Sequence, residues 1–114
     1  MRHRIKGKKF SRTNKIRKAF IRSLVVALLD KEKIITTEAR AKALRSRTEK
    51  LITVAKKGNL QAIKRLHSLL PKNTVKKAMD IAGKYKERRG GYIRISKILN
   101  RVSDKAKMAI VEFV

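Results

Sequence analysis

Apolar positions along this chain recur at two spacings, and the change from one to the other divides it. Ile16, Ala19, Phe20, Ser23, Leu24, Ala27 and Leu28 fall three, four and seven apart, which puts them on one face of a helix. Ser11 or Asn14 can cap that helix. Its first half is amphipathic and basic, whereas Leu24 to Leu29 is apolar without interruption and predicts burial. Ile34, Ile35 and Thr36 are β-branched and bounded by charge, the pattern of a brief strand. Thr37 can cap a second helix with Glu38 at its positive end, an apolar stripe of Ala41, Leu44, Thr48, Leu51, Ile52 and Ala55, and Gly58 as a left-handed stop.

Asn59 predicts the start of a third helix with Leu60, Ile63, Leu66, His67 and Leu70 inward, closed by Pro71. Asn73 can cap a fourth, with Val75, Ala78, Met79 and Ala82 inward and Gly83 as its stop. The spacing then shortens. Tyr92 to Leu99 and Ala106 to Val114 read as two strands of an antiparallel hairpin, joined through Asn100 to Lys105. The expected fold is α+β: a small mixed sheet of about three strands packed against about four helices, with an extended basic N-terminal arm. The arm covers residues 1–10 and a single α+β domain covers 11–114. Hydrophobic residues make up 42% of the 114, enough for a modest core.

Charge changes this picture more than length does. Thirty-three Lys and Arg stand against eight Asp and Glu, a net +25. A compact fold with that surplus repels itself until a polyanion neutralises it, and each phosphate contacted releases counterions. Nucleic acid is the leading partner, and an anionic membrane surface is the competitor. The longest apolar run is far short of the roughly 20 residues of a membrane span, and although residues 12–29 have the composition of a membrane-active cationic helix, their apolar face is needed for a core, so no membrane partner is expected. The acid-free, Arg-rich start superficially suits a transit peptide, but it runs into the fold without a break.

Nothing in the chain asks for catalysis, a metal or a cofactor. There is no Cys, no phosphate loop of nucleotide-binding spacing, and no His/Asp/Glu cluster with ligand spacing. Of the two His, His3 sits in the basic arm and His67 reads as a satisfied core residue. Asp30 and Glu32 alternate with Lys31 and Lys33 as a solvated turn. No small-molecule substrate is implied.

The positive signal lies in three basic regions. Residues 1–22 hold ten Lys or Arg and no acid. Arg2, His3, Arg4, Lys6, Lys8 and Lys9 form a segment able to thread between phosphates, continued on a helix by Arg12, Lys15, Arg17, Lys18 and Arg22. The second region is Arg40, Lys42 and Arg45. The third is Arg88, Arg89, Gly90, Gly91, Tyr92 and Arg94, where Arg offers bidentate phosphate contacts, the glycines allow close approach, and Tyr92 can stack on a base or sugar edge, lie in the core at a hairpin entry, or do both. Three Phe and two Tyr in the whole chain are few for a reader of base sequence, which points to recognition of shape and backbone.

These residues resemble the bacterial-type large-subunit ribosomal protein family numbered seventeen. The resemblance runs nearly the whole chain in order. It rests on Met1-Arg2-His3-Arg4 with Gly7, then Arg12, Arg17, Ala19 and Arg22. Next come Ile34-Ile35-Thr36-Thr37 with Ala41 to Arg45, then Leu51 to Lys56. Arg89-Gly90-Gly91-Tyr92-Ile93-Arg94-Ile95 is the most specific part, and Asp104, Ala106, Met108, Ala109 and Glu112 close the series. The chain departs at Ile16, Ser23 and Ser103, where the family commonly has His, Asn and Gly. The resemblance implies a structural, non-enzymatic role in the cytoplasm: binding of large-subunit ribosomal RNA near the nascent-peptide tunnel exit, among neighbouring ribosomal proteins. It also implies that the mature protein begins with the arm, which counts against a transit peptide. A DNA-compacting architectural protein is the alternative that shares the charge.

Overall fold

Helices begin and end where something can satisfy the backbone groups that a helix leaves unpaired. The computed structural model describes residues 8–114. Within them the order is α1 (Asn14–Lys31), β1 (Lys33–Thr37), α2 (Glu38–Lys57), α3 (Leu60–Leu69), α4 (Lys72–Gly83), β2 (Ile93–Ile98) and β3 (Met108–Phe113). The Thr37 hydroxyl accepts from the Arg40 amide at 3.4 Å and opens α2; Gly58 at φ 63° closes it, both as the sequence predicts. The Asn59 side chain accepts from the Ala62 amide at 2.8 Å and opens α3. That helix stops at Leu70, extended before Pro71.

Three helix ends differ from expectation, each for a local reason. Thr13, rather than Ser11 or Asn14, caps α1. Phe10 and Ser11 adopt left-handed φ of 52° and 54° in a turn closed by the Arg12 amide on the Lys9 carbonyl, which removes Ser11 from the cap position. Pro71 stands at the start of α4, its fixed φ suited to a helix entrance, so Asn73 lies inside the first turn. Gly83 remains right-handed and Lys84 follows it in the same conformation, so Gly83 is the last helical residue and not a left-handed stop. At the end of α1 a non-glycine does that job: Glu32 takes φ 63° and returns its amide to the Leu28 carbonyl at 2.7 Å.

The sheet has the order β1-β3-β2. Both pairings are antiparallel, so the mixed sheet expected from the sequence is replaced by an antiparallel one. The reason is topological. β2 and β3 form the expected hairpin, and β1 returns to the free edge of β3 running against it. The register sets Ile34, Val111 and Ile95 in one row, and Ile35, Ile110 and Ser96 in the neighbouring row on the opposite face. Thr36, Ile93, Ala109 and Val111 are buried on the first of these faces, against the helices.

α2 is the hub of the fold and packs against every other helix and strand. Of its predicted stripe, Ala41, Leu44, Thr48, Ile52 and Ala55 are buried and Leu51 is half-buried beside them, with the Thr48 hydroxyl satisfied by the Leu44 carbonyl at 3.0 Å. Two other faces turn out rotated. On α1 the core takes Val25, Leu28 and Leu29, with Ile21, Leu24 and Val26 packed beside them. Ile16 is 56% exposed, and Ala19 and Ser23 also face outward, so the first half of α1 projects past the core. On α3 the buried row is Ala62, Leu66 and Leu70; His67 is exposed and is not the core histidine expected.

Candidate nucleic-acid interface

Of the predicted arm, Arg2, His3, Arg4 and Lys6 lie outside the described residues, as does the expectation that the arm is extended there. Lys8 and Lys9 are exposed. The turn at Phe10 and Ser11 then sends Arg12 back over α1. Its guanidinium lies 4.0 Å from the centroid of the Phe20 ring, and the Phe10 ring meets the same ring edge-on at 5.6 Å. Arg40, near the start of α2, reaches that ring from another element at 4.9 Å. Two basic regions that are separate in sequence therefore meet at one aromatic side chain.

Along the projecting half of α1, Lys15, Lys18 and Arg22 are exposed, while Arg17 is half-buried and bonds Asn14 Oδ1 at 3.1 Å. No carboxylate occurs before Asp30, so this half of the helix carries cations with no acid of its own to oppose them. α2 is different. Lys42 pairs with Glu38 at 3.1 Å, and Lys97 approaches the same carboxylate at 3.7 Å. The hydrogen bond from Lys42 holds the Glu38 carboxyl below its usual range, aided by the charges of Lys97 and Lys107. Lys42 is thus partly neutralised within the fold. Arg45 is exposed.

The third region is a loop held from beneath. Arg88, Arg89, Gly90 and Gly91 are exposed, and Gly91 takes φ 66°, a conformation that a side chain would strain. Arg88 Nε donates to the Gly90 carbonyl at 3.3 Å. The Arg88 carbonyl accepts from both Lys56 Nζ and the Tyr92 hydroxyl. Tyr92 itself is fully buried, so its ring offers no face to a base, and the core reading replaces the stacking one. Arg94 is also reassigned. Strand register sets it opposite Glu112, whose carboxylate it binds through Nη2 at 2.8 Å and Nε at 3.2 Å, with Lys33 at 3.9 Å. Its fork already holds a carboxylate.

Two residues that sequence reasoning missed organise these regions. Phe20 looked like a core position, and nothing local to it signals that Arg12 and Arg40 converge there. Lys56 looked like one basic residue among many; the loop it holds lies far along the chain, and no spacing rule links the two.

The two tyrosines supply a check on this arrangement. The hydrogen bond from Lys56 at 3.0 Å, first among its influences, holds the Tyr92 phenol below the ordinary tyrosine range, against its burial. Burial pushes the Tyr85 phenol up; its hydroxyl donates to the Val114 carbonyl at 2.6 Å. Alkaline titration followed by ultraviolet absorbance is therefore expected to resolve two steps. The lower one should vanish in Tyr92→Phe, and loss of the upper one instead would contradict the assignment.

Among the described residues no group of three or more His, Asp or Glu could hold a metal ion, and no helix is long and apolar enough to cross a membrane. The described residues form a small α+β fold that presents two basic surfaces, one on a projecting helix and one on a braced loop. Residues 20–114 match the family described as ribosomal protein L17. The chain is 50% identical over 116 residues to the large ribosomal subunit protein bL17 of Zymomonas mobilis, covering all of this chain and 83% of the relative. It is 49% identical over 117 residues to the protein of that name from a Hydrogenobaculum species, covering all of this chain and 99% of the relative. The corresponding protein of Thermodesulfovibrio yellowstonii is 43% identical over 116 residues, with all of this chain and 87% of the relative covered. The chain belongs to the ribosomal protein L17 family.

Proposed function

We propose that this chain is a structural constituent of the large ribosomal subunit that binds and stabilises large-subunit ribosomal RNA near the nascent-peptide tunnel exit, beside other ribosomal proteins. The observation that carries the reading is the projecting half of α1. Lys15, Lys18 and Arg22 stand there, Arg12 folds back over it from the preceding turn and Arg40 is added from α2, with no carboxylate earlier in the chain than Asp30. Cations gathered without counter-charges hold their place at least cost when phosphates surround them. Residues 1–10 act as the arm and 11–114 as the domain that fixes the patches relative to one another. Arg2, His3, Arg4, Lys6, Lys8, Lys9, Arg12, Lys15, Arg17, Lys18, Arg22, Arg40 and Arg45 contact RNA. Arg88, Arg89 and the Gly90-Gly91 backbone contact it at the loop, while Lys42 and Arg94 contribute less because each already holds a carboxylate. The role is non-enzymatic and calls for no cofactor, and its setting is the cytoplasmic ribosome.

The test is sedimentation of a native lysate through a sucrose gradient. Co-migration with large subunits that survives a high-salt wash is expected, because loosely held polycations are stripped by salt. Release into the light fractions at moderate salt, or migration with DNA, would overturn the proposal and favour the DNA-compacting alternative. Replacing Arg88 and Arg89 with Ala should lower incorporation into subunits; normal incorporation would remove the loop from the interface.

A further inference from the structure

We infer that Arg12, Phe20 and Arg40 form one composite site in which two guanidiniums from distant parts of the chain grip a single backbone phosphate of RNA. The inference rests on the ribosomal reading and deepens it, because sequence assigns Arg12 and Arg40 to separate basic regions and only the fold unites them.

The geometry comes first. Both guanidiniums lie on one ring, Arg12 at 4.0 Å and Arg40 at 4.9 Å from its centroid. The ring attracts each cation through its quadrupole, but that attraction does not neutralise either charge. A shared anion does. Among the described residues no carboxylate pairs with either arginine. Glu38, the acid nearest Arg40 in sequence, is engaged by Lys42 at 3.1 Å and Lys97 at 3.7 Å. Arg12 Nη1 donates to the Phe10 carbonyl at 2.6 Å, which fixes the side chain and leaves its other donors available.

The backbone adds an independent mark. Two successive non-glycine residues, Phe10 and Ser11, take left-handed φ of 52° and 54°, a costly conformation for both. That turn is what brings Arg12 back onto Phe20, and the edge-on Phe10 ring braces it at 5.6 Å. The fold accepts strain to bring a second cation to the ring that Arg40 already meets, a convergence that a bound phosphate would neutralise. The planar fork of Arg suits such bidentate capture better than Lys would.

The measurement is the salt dependence of binding to transcribed large-subunit ribosomal RNA, for the wild type, Arg12→Gln, Arg40→Gln and the double variant. One lost phosphate lowers the slope of log affinity against log salt by about one. The double variant is expected to lower it by about one, with the affinity losses of the two single variants not adding. A drop of about two would place the arginines on separate phosphates, and no drop would mean that neither touches RNA; either result overturns the inference. Phe20→Leu should reproduce the double variant's slope while helix content by circular dichroism stays that of the wild type, and an unchanged slope there would count against the ring's role. Failure of the wild type to bind this RNA would overturn the ribosomal reading and this inference with it. Unchanged slopes with wild-type binding intact would overturn the inference alone.

Discussion

Replacing Tyr92 with Ala is expected to destabilise the fold by about 3–5 kcal/mol, the range for removing a large buried aromatic side chain. Tyr92 is fully buried, and its ring packs at 5.2 Å against that of Tyr85. Its hydroxyl accepts from Lys56 Nζ at 3.0 Å and donates to the Arg88 carbonyl at 3.3 Å. Its backbone carbonyl accepts from the Val114 amide at 2.9 Å, so the residue ties the end of β3 to the entrance of β2. Truncation opens a cavity among α2, Tyr85 and the sheet. Tyr92→Phe keeps the packing and removes only the hydroxyl, so a loss of about 1–2 kcal/mol is expected. Guanidinium unfolding curves of the two variants measure the difference. An Ala variant within about 1 kcal/mol of the wild type would mean that the ring is not part of the core.

The same residue shows where sequence reading stops. Tyr92 in Arg89-Gly90-Gly91-Tyr92 sits among cations and glycines, a setting that favours RNA contact by sequence while leaving room for a core tyrosine at a strand entrance. Only the long-range contacts to Lys56 and Tyr85 decide between them. α2 was legible almost completely, because its cap at Thr37, its stripe and its stop at Gly58 are set within the helix itself. α1 was legible as a helix but not in its buried face. A run such as Leu24 to Leu29 offers several stripes of equal periodicity, and packing against α2 and α4 selects Val25, Leu28 and Leu29. His67 was misplaced for the same reason on α3. The basic regions were visible in composition alone. Which cations remain available was not, because the pairing of Arg94 with Glu112 depends on strand register, and that of Lys97 with Glu38 on how the hairpin meets α2.

Removing residues 1–9 is expected to weaken RNA binding far more than it affects folding. The deletion takes away five Lys or Arg: Arg2, Arg4, Lys6, Lys8 and Lys9. If each meets a phosphate, the salt slope falls by about 0.9 per contact, up to about four in all, which is on the order of a hundredfold or more in affinity between low and physiological salt. Phe10 and Arg12 are kept, but the Lys9 carbonyl that closes their turn is lost, so any loosening of Arg12 on Phe20 adds to the loss of binding; Lys8 and Lys9 are exposed and take no part in the core. Thermal stability should therefore change little. A matched control separates position from bulk charge. Lys57, Lys64, Arg65, Lys72 and Lys76 are five exposed cations at the end of α2 and on α3 and α4, none with a carboxylate partner among the described residues. Replacing all five with Gln removes the same charge, yet it should leave most of the slope intact if RNA is gripped by the arm and α1. Equal losses from the deletion and the control would mean that the protein binds as a diffuse polycation, in which case the arrangement of its basic surfaces would have no bearing on affinity.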